Sequence, residues 1–125
     1  MKKLLFGLVF MLASSLSAQS YLRAETFTMG IRSNEYSPIQ WGESNACSIL
    51  VELYETKVVI NSKVTQTYYV VNQAYNGNGI VSWMCKDANG VMCKFVMMNM
   101  VEYPGYLVCQ VEYNDALWFY VCTKE

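Results

Sequence analysis

Apolar and polar residues alternate with a period of two along almost the whole chain after Glu25. Phe27, Met29 and Ile31, for example, alternate with small or polar neighbours, which is typical of a β-strand with one buried face. The pattern predicts about eight strands, at 26–31, 48–54, 57–61, 64–72, 80–86, 91–100, 106–113 and 117–123. No stretch has the 3.6-residue period of a helix longer than a turn or two.

The connections between the predicted strands are short, so neighbours in sequence are expected to pair antiparallel as a meander. With so many strands in 125 residues, the sheet must either curl into a small barrel or fold over as two packed sheets. A barrel removes exposed edge strands. We therefore expect an all-β fold, an antiparallel barrel of about eight strands, with a two-sheet sandwich as the alternative.

Two strands near the middle of the chain are predicted to form a hairpin whose register follows from its turn. The segment Asp87–Gly90 suits a type I turn closed by a glycine in the left-handed conformation. This turn places Cys85 opposite Cys93 and Trp83 opposite Phe95 on one apolar face. The opposite face is mixed and carries Ser82, Met84, Lys86, Met92, Lys94 and Val96. The register required by the turn therefore also sorts the side chains between two faces.

The N-terminal residues have the pattern of a secretory signal peptide. Two lysines precede an apolar run at 4–16 that is too short to span a bilayer, and small residues follow it. We expect a signal peptide over residues 1–18, with cleavage after Ala18 or two residues later. The exported chain, 19–125, is then a single domain in the periplasm or outside the cell. Its formal net charge is −3, against −1 for the whole chain.

Export changes the meaning of the five cysteines, because an oxidising compartment permits disulfides. Cys85 and Cys93 are one candidate pair, although they are expected at a hydrogen-bonded site, where the separation is larger. Cys109 and Cys122 are a second candidate pair if the last turn is a four-residue loop, but not if it is a two-residue loop. Cys47 is then the free thiol. The alternative for all five is a role as small, buried apolar residues.

The composition excludes several functions. The chain has no histidine, which removes the commonest general base and the preferred zinc and copper ligand. Its acidic residues are scattered, so we expect no enzymatic activity, no metal site and no cofactor. Nine basic against ten acidic residues give no reason to expect nucleic-acid binding. One strand face carries Lys86, Lys94, Gln110 and Glu112, which argues against a membrane-spanning barrel.

Five methionines between positions 84 and 100 provide the first candidate binding surface. Met84, Met92 and Met98 fall on the face opposite to Trp83, interrupted by lysines. If the Trp83 face is the interior, these methionines form an exposed apolar strip, which commonly marks a partner surface. The alternatives are flexible packing, cover by a loop such as 32–46, or a role as soft ligands for monovalent copper.

Two aromatic residues in a polar loop provide the second candidate. Tyr36 and Trp41 lie within 32–46, away from the predicted strands. Trp41 is expected either to plug one end of the barrel or to stand at its mouth, where the ligands of small barrels enter.

Trp41, the segment 61–69 and the segment Cys85–Cys93 together resemble small exported β-rich proteins of Bacteroidetes-type bacteria, from which no activity can be transferred. The eight-strand plan is also similar to lipocalin-like barrels and to secreted lysozyme-inhibitor barrels. The chain lacks the Gly-x-Trp opening of lipocalins and the serine loop of the inhibitors. We expect an exported soluble binding module that contacts a protein. The alternative is a lipocalin-like carrier of a small apolar molecule, lined by Trp83 and Phe95.

Overall fold

The computed structural model describes residues 20–125, and the expected signal peptide lies outside this range. The described chain forms strands β1 (Ser20–Ile31), β2 (Gln40–Trp41), β3 (Asn45–Leu53), β4 (Lys57–Asn61), β5 (Thr65–Gly77), β6 (Ile80–Asp87), β7 (Met92–Met98), β8 (Leu107–Glu112) and β9 (Ala116–Lys124). All eight predicted strands are present, and the additional β2 is only two residues long. No helix in this part of the chain is long and apolar enough to cross a membrane.

The strands form one closed antiparallel barrel. Each strand from β3 to β8 pairs with the next one, β3 also pairs with β1, and β9 returns to pair with β1. The short β2 continues the line of β3 along the same edge of β1, where Trp41 lies opposite Gly30. The predicted meander and barrel are therefore confirmed, and the two-sheet sandwich is not adopted.

Residues with positive φ form the tight turns between the strands. Asn78 and Gly79 have φ values of 53° and 77°, as both central residues of a type I′ hairpin turn require. Gly90 has a φ of 80° and donates its N–H to the carbonyl oxygen of Asp87 at 3.0 Å. This closes the turn between β6 and β7 as predicted, and the predicted register of that hairpin is confirmed.

β-Bulges interrupt the pairing of two long strands. Glu25 is the extra residue of β1, because the register with both neighbouring strands shifts between Ala24 and Thr26. In β5 the register with β6 shifts around Val71 and again around Ala74. Bulges increase the local twist and bend a strand, which helps a sheet to curve into a barrel.

Bulky side chains occupy the barrel interior. Phe95 and Tyr120 are almost completely buried, together with aliphatic residues from every side of the barrel. Phe95 stacks on Trp83 with ring centroids 6.1 Å apart, and Tyr120 stacks on Phe27 at 5.3 Å. Burial of this apolar surface is the main source of stability of such a barrel.

A second apolar layer lies on the outer wall of β7, β8 and β9. Successive residues of a strand point to opposite faces, so the neighbours of interior residues must point outward. The buried residues placed on the outer wall in this way are Val96, Val108, Leu117 and Val121. The connection between β7 and β8 folds over this layer, and its Tyr103 packs on the outward Phe119 with ring centroids 6.0 Å apart.

Candidate functional site

Met84, Met92 and Met98 all lie on the outer wall, as the hairpin register predicted. Cys85, Cys93 and Met97 belong to the interior cluster, so the residues next to them in sequence point outward. Met84 lies opposite Lys94, and Met92 lies opposite Lys86. The two methionines are therefore diagonal neighbours, within reach of each other's side chains.

Met98 is separated from the other two methionines. It lies at the far end of β7 from Met92, about 20 Å away at the rise of an extended strand. There it pairs with Ile80 on one side and with the fully buried Val108 on the other. Met98 thus belongs to the outer apolar layer, and the three methionines do not form one continuous strip.

Two further residues extend the surface around Met84 and Met92. Tyr69 lies opposite Lys57 on β4 and opposite Lys86 on β6, and it points outward because Tyr68 and Val70 pack in the core. Tyr69 is 51% exposed and Met92 is 44% exposed. We refer to this part of the outer wall as the lysine–methionine surface. Its members are Lys57, Tyr69, Met84, Lys86, Met92 and Lys94.

Two of the three lysines of the lysine–methionine surface have no ion-pair partner within residues 20–125, whereas Lys57 lies over the Tyr54 ring at 5.3 Å and interacts with the Glu52 carboxylate. Neither Lys86 nor Lys94 forms an ion pair with any other residue of the described range 20–125. Glu112 lies directly opposite Lys94, but its carboxylate accepts a hydrogen bond from the Arg32 guanidinium at 3.2 Å. Three cationic side chains therefore surround the exposed Tyr69 and Met92.

Sequence reasoning did not find Lys57 and Tyr69. Each is an ordinary alternating strand residue, and they become neighbours of Met92 only through three consecutive hairpin registers. They could have been found by aligning the predicted registers of the three hairpins, which places four residues in one row across the sheet: Lys57, Tyr69, Lys86 and Met92.

Trp41 lies on the outer wall of the barrel, so both expected positions, as a plug and at the mouth, are wrong. Its ring packs edge-on against the outward Phe119, with centroids 5.6 Å apart, and covers Gly30. The reason is the β2 pairing, which places Trp41 opposite Gly30 on the face that points away from the core. The ring remains 46% exposed.

Tyr36 is the most exposed of the candidate residues, at 89%. Its backbone N–H donates to the side-chain oxygen of Asn34 at 2.8 Å, which is the geometry of an Asx turn. The structure therefore accounts for the position of its backbone, while the ring extends into solvent. Tyr36 and Trp41 are not part of the lysine–methionine surface.

All five cysteines are free thiols, and the two expected disulfides are not formed. Cys85 does lie opposite Cys93, but at a hydrogen-bonded position, where opposed Cβ atoms are about 5.5 Å apart, against about 3.5–4.5 Å in a disulfide. Cys109 lies opposite Tyr120, because Tyr113 and Ala116 close a two-residue turn and shift Cys122 by two positions. Four of the thiols are buried, and Cys47 packs against the same core.

Burial makes the core thiols weak nucleophiles. Loss of solvation raises the pKa of Cys85 to about 12 and that of Cys93 to about 11. The hydrogen bond with Cys122, followed by burial, raises the pKa of Cys109. A thiol that stays protonated is a poor nucleophile and a poor metal ligand. The described residues contain no group of three acidic, cysteine or histidine side chains that could hold a metal ion.

A polar cluster lies at the end of the barrel where β6 and β7 are joined. The Tyr113 hydroxyl donates to the Asp87 carboxylate at 2.8 Å, and the other carboxylate oxygen accepts the N–H groups of Asn89 and Val91. These hydrogen bonds, first that of Tyr113, lower the pKa of Asp87. Asp87 thus bonds to backbone N–H groups at the turn and to the Tyr113 hydroxyl beyond β8, so the cluster joins the turn to the barrel wall.

Comparisons of the chain with protein-family models, with curated proteins and with solved structures find no match. The assignment of a function therefore rests on the geometry and charge of the surfaces described above.

Proposed function

We propose that the chain is an exported binding module that recognises another protein through the lysine–methionine surface. The observation that carries this proposal is the exposed pair Tyr69 and Met92 on either side of Lys86, which forms no ion pair within residues 20–125. Tyrosine and methionine are enriched at protein interfaces, where they supply contact area. Export is proposed from the N-terminal residues, whose basic and apolar segments match a signal peptide.

The charge of the surface favours an acidic partner. Lys57, Lys86 and Lys94 lie within one stretch of wall, although the proposed exported chain carries a net negative charge. A cationic patch attracts an anionic surface, increases the association rate and makes it sensitive to salt. Met84 and Met92 would form the apolar centre of the contact, with the lysines at its rim.

A carrier function has less support than an outer-wall contact. The residues that a carrier would use, Trp83 and Phe95, stack on each other within the interior cluster. Phe95 and Tyr120 leave almost none of their own surface accessible. Small barrels whose interior positions are filled by side chains have a packed core in place of a ligand cavity.

The substitution Met92→Lys tests the proposed surface. It places a fourth cation in the apolar centre of the contact, opposite apolar groups of the partner and not opposite the acids that face the rim lysines, so the charge is desolvated without a counter-charge. We expect partner binding to weaken by more than about tenfold, the loss typical of a central interface residue. The measurement is quantitative capture from the exported-protein fraction of the cells that make the chain, followed by titration of the captured partner.

Met29→Lys is the matched control for this experiment. Met29 is 43% exposed, against 44% for Met92, and it lies opposite Trp118 near the end of β1, away from the lysine–methionine surface. It is on the inward face of the strand, where the barrel opens, so the two variants share the added charge and the exposed fraction but not the surface. Equal binding by the Met92→Lys and wild-type chains, or an equal loss in both variants, would contradict the proposed surface.

A further inference from the structure

The second half of β5 is an open strand edge. β4 pairs only with the first five residues of β5, Thr65–Tyr69, whereas β6 pairs with β5 as far as Gly77. Within residues 20–125, no strand lies on the other side of the segment 71–77. Every side chain from 71 to 76 is exposed, and the segment has no charged residue and no proline. Of the common devices against edge pairing, lysine, proline and inward charges are absent from this segment, and the bulges at Val71 and Ala74 are present.

The backbone groups of this edge point outward at every third residue. Val70 donates its N–H away from β6, to the carbonyl oxygen of Thr56 at 2.9 Å. Gly77 and Ile80 form the hydrogen-bonded pair that closes the turn. Asn76 and Val81 form the next pair, which is not hydrogen-bonded, so the N–H and C=O groups of Asn76 point away from β6. The bulge at Ala74 shifts the pattern, and Gln73 is the preceding outward residue.

This spacing does not match an ordinary strand. A regular strand presents its N–H and C=O groups to one neighbour at every second residue. The outward groups of Gln73 and Asn76 can therefore pair only with a strand that has the same three-residue spacing. A second copy of this edge has that spacing. In an antiparallel pair of copies, Gln73 of each copy lies opposite Asn76 of the other.

We propose that two copies of this chain pair through the segment 71–77 of β5 as an antiparallel, twofold-symmetric dimer. The uncharged edge allows two identical chains to approach without like-charge repulsion at the contact. The amide side chains of Gln73 and Asn76 are opposed in both halves of the contact and can hydrogen-bond to each other. In such a contact the outward N–H and C=O groups of each edge are bonded to the other copy, and none is left for a third copy. The contact therefore gives a dimer and not a fibre.

The expected dimer is weak. One seven-residue edge buries much less surface than a standard stable protein interface. Dimers should therefore form at high protein concentration, with a mass that doubles reversibly as the concentration rises. Hydrogen exchange of the Gln73 and Asn76 amides should slow over the same concentration range, because these groups become bonded.

The substitution Gln73→Pro tests the dimer by sedimentation equilibrium of the purified chain. It removes one outward N–H but no hydrogen bond to β6, and proline is tolerated at strand edges. We expect this variant to remain a monomer at every concentration, whereas the control Gln73→Ala, which retains the N–H, dimerises like the wild type. Asn76→Lys places a charge opposite Gln73 of the other copy and brings two lysines into the same short contact, so it should also prevent pairing if Gln73→Pro does not fold.

Two results of the sedimentation experiments would overturn the inference. One is a wild-type chain that stays monomeric up to millimolar concentration. The other is a folded Gln73→Pro or Asn76→Lys chain that dimerises as the wild type does. Protection of the Gln73 amide at low concentration by a different exported protein would also overturn it, because that chain would then occupy the edge. Since the β5 edge and Met92 are tested by different variants, failure of the dimer leaves the proposed function to its own experiment.

Discussion

Gly30 allows an aromatic ring to lie directly on the outer wall of the barrel. A Cβ atom at this position would lie 2.7 Å from Cγ2 of Ile39 and 2.8 Å from the ring of Trp41. Both distances are shorter than real contacts of this kind, so one of the two side chains would have to move. Packing on Gly30 and Phe119 thus accounts for the position of the Trp41 ring on the outer wall, without a ligand.

The substitution Gly30→Ala should displace the Trp41 ring. We expect a loss of about 1–3 kcal/mol in the free energy of unfolding, the usual cost of overpacking a tight contact. Tryptophan fluorescence and urea unfolding measure the two effects together. In a Trp41→Ala background the same glycine substitution should cost much less, because one of the two crowded groups is gone. An equal cost in both backgrounds would show that the ring does not determine the need for glycine.

The buried thiols of the β6–β7 hairpin give the barrel a dependence on alkaline pH. The pKa of Cys85 is raised from 9.0 to about 12 and that of Cys93 from 9.0 to about 11, chiefly by burial. A group whose pKa is raised on folding contributes its full stability below the unfolded pKa. This contribution is lost as the pH rises from about 9 toward the folded value.

Removal of one thiol should make the barrel less sensitive to alkaline pH. We expect the wild type to lose stability between about pH 9 and pH 11, with each thiol contributing up to about 1.4 kcal/mol per pH unit. Cys85→Val, which keeps an apolar side chain of similar size, should flatten this dependence. Urea unfolding under reducing conditions measures the slope. Below about pH 9 the two proteins should show parallel pH profiles. Parallel profiles above that pH as well would show that the buried Cys85 thiol is not a source of the alkaline sensitivity.

The sequence predicts the β6–β7 hairpin because two independent features agree. The turn at Asp87–Gly90 requires one register, and the same register places Trp83 and Phe95 together on the apolar face. The type I′ turn at Asn78–Gly79 rests on equally local information, because asparagine and glycine tolerate positive φ. Such elements depend on residues that are close in the chain, and this is why the register of the hairpin could be predicted.

Other elements depend on information that the local pattern does not contain. β5 extends five residues beyond its predicted end, because the bulges at Val71 and Ala74 break the period-two alternation. The separation of Cys109 from Cys122 depends on a turn of two residues in place of four, which the same sequence allows. The position of Trp41 depends on a pairing with Gly30 that no short-range pattern indicates.

At the scale of the whole molecule, closure of the sheet joins the two ends of the described chain. β1 and β9 pair from Leu22 with Lys124 to Ile31 with Ala116, so the barrel requires nearly the complete domain. Arg32 adds to this closure by hydrogen-bonding to Glu112 and to the carbonyl oxygens of the last turn. The interior is occupied by Phe95 and Tyr120, so the proposed recognition surface lies on the outer wall.

The claim that partners bind the outer wall and not the interior is tested most directly by site-specific photo-crosslinking. A photoreactive phenylalanine analogue would replace Tyr69 on the lysine–methionine surface, Phe95 in the interior or Met29 at the exposed end of β1. The full chain would be expressed and exported by the cells that make it and irradiated there. Mass spectrometry would then identify any adduct at each position.

We expect a protein adduct from the probe at position 69, and none from the probes at positions 95 and 29. A small-molecule adduct at Phe95 would instead support a carrier. An adduct at Met29 with an equal or higher yield than at Tyr69, or no adduct at Tyr69, would contradict recognition through the lysine–methionine surface.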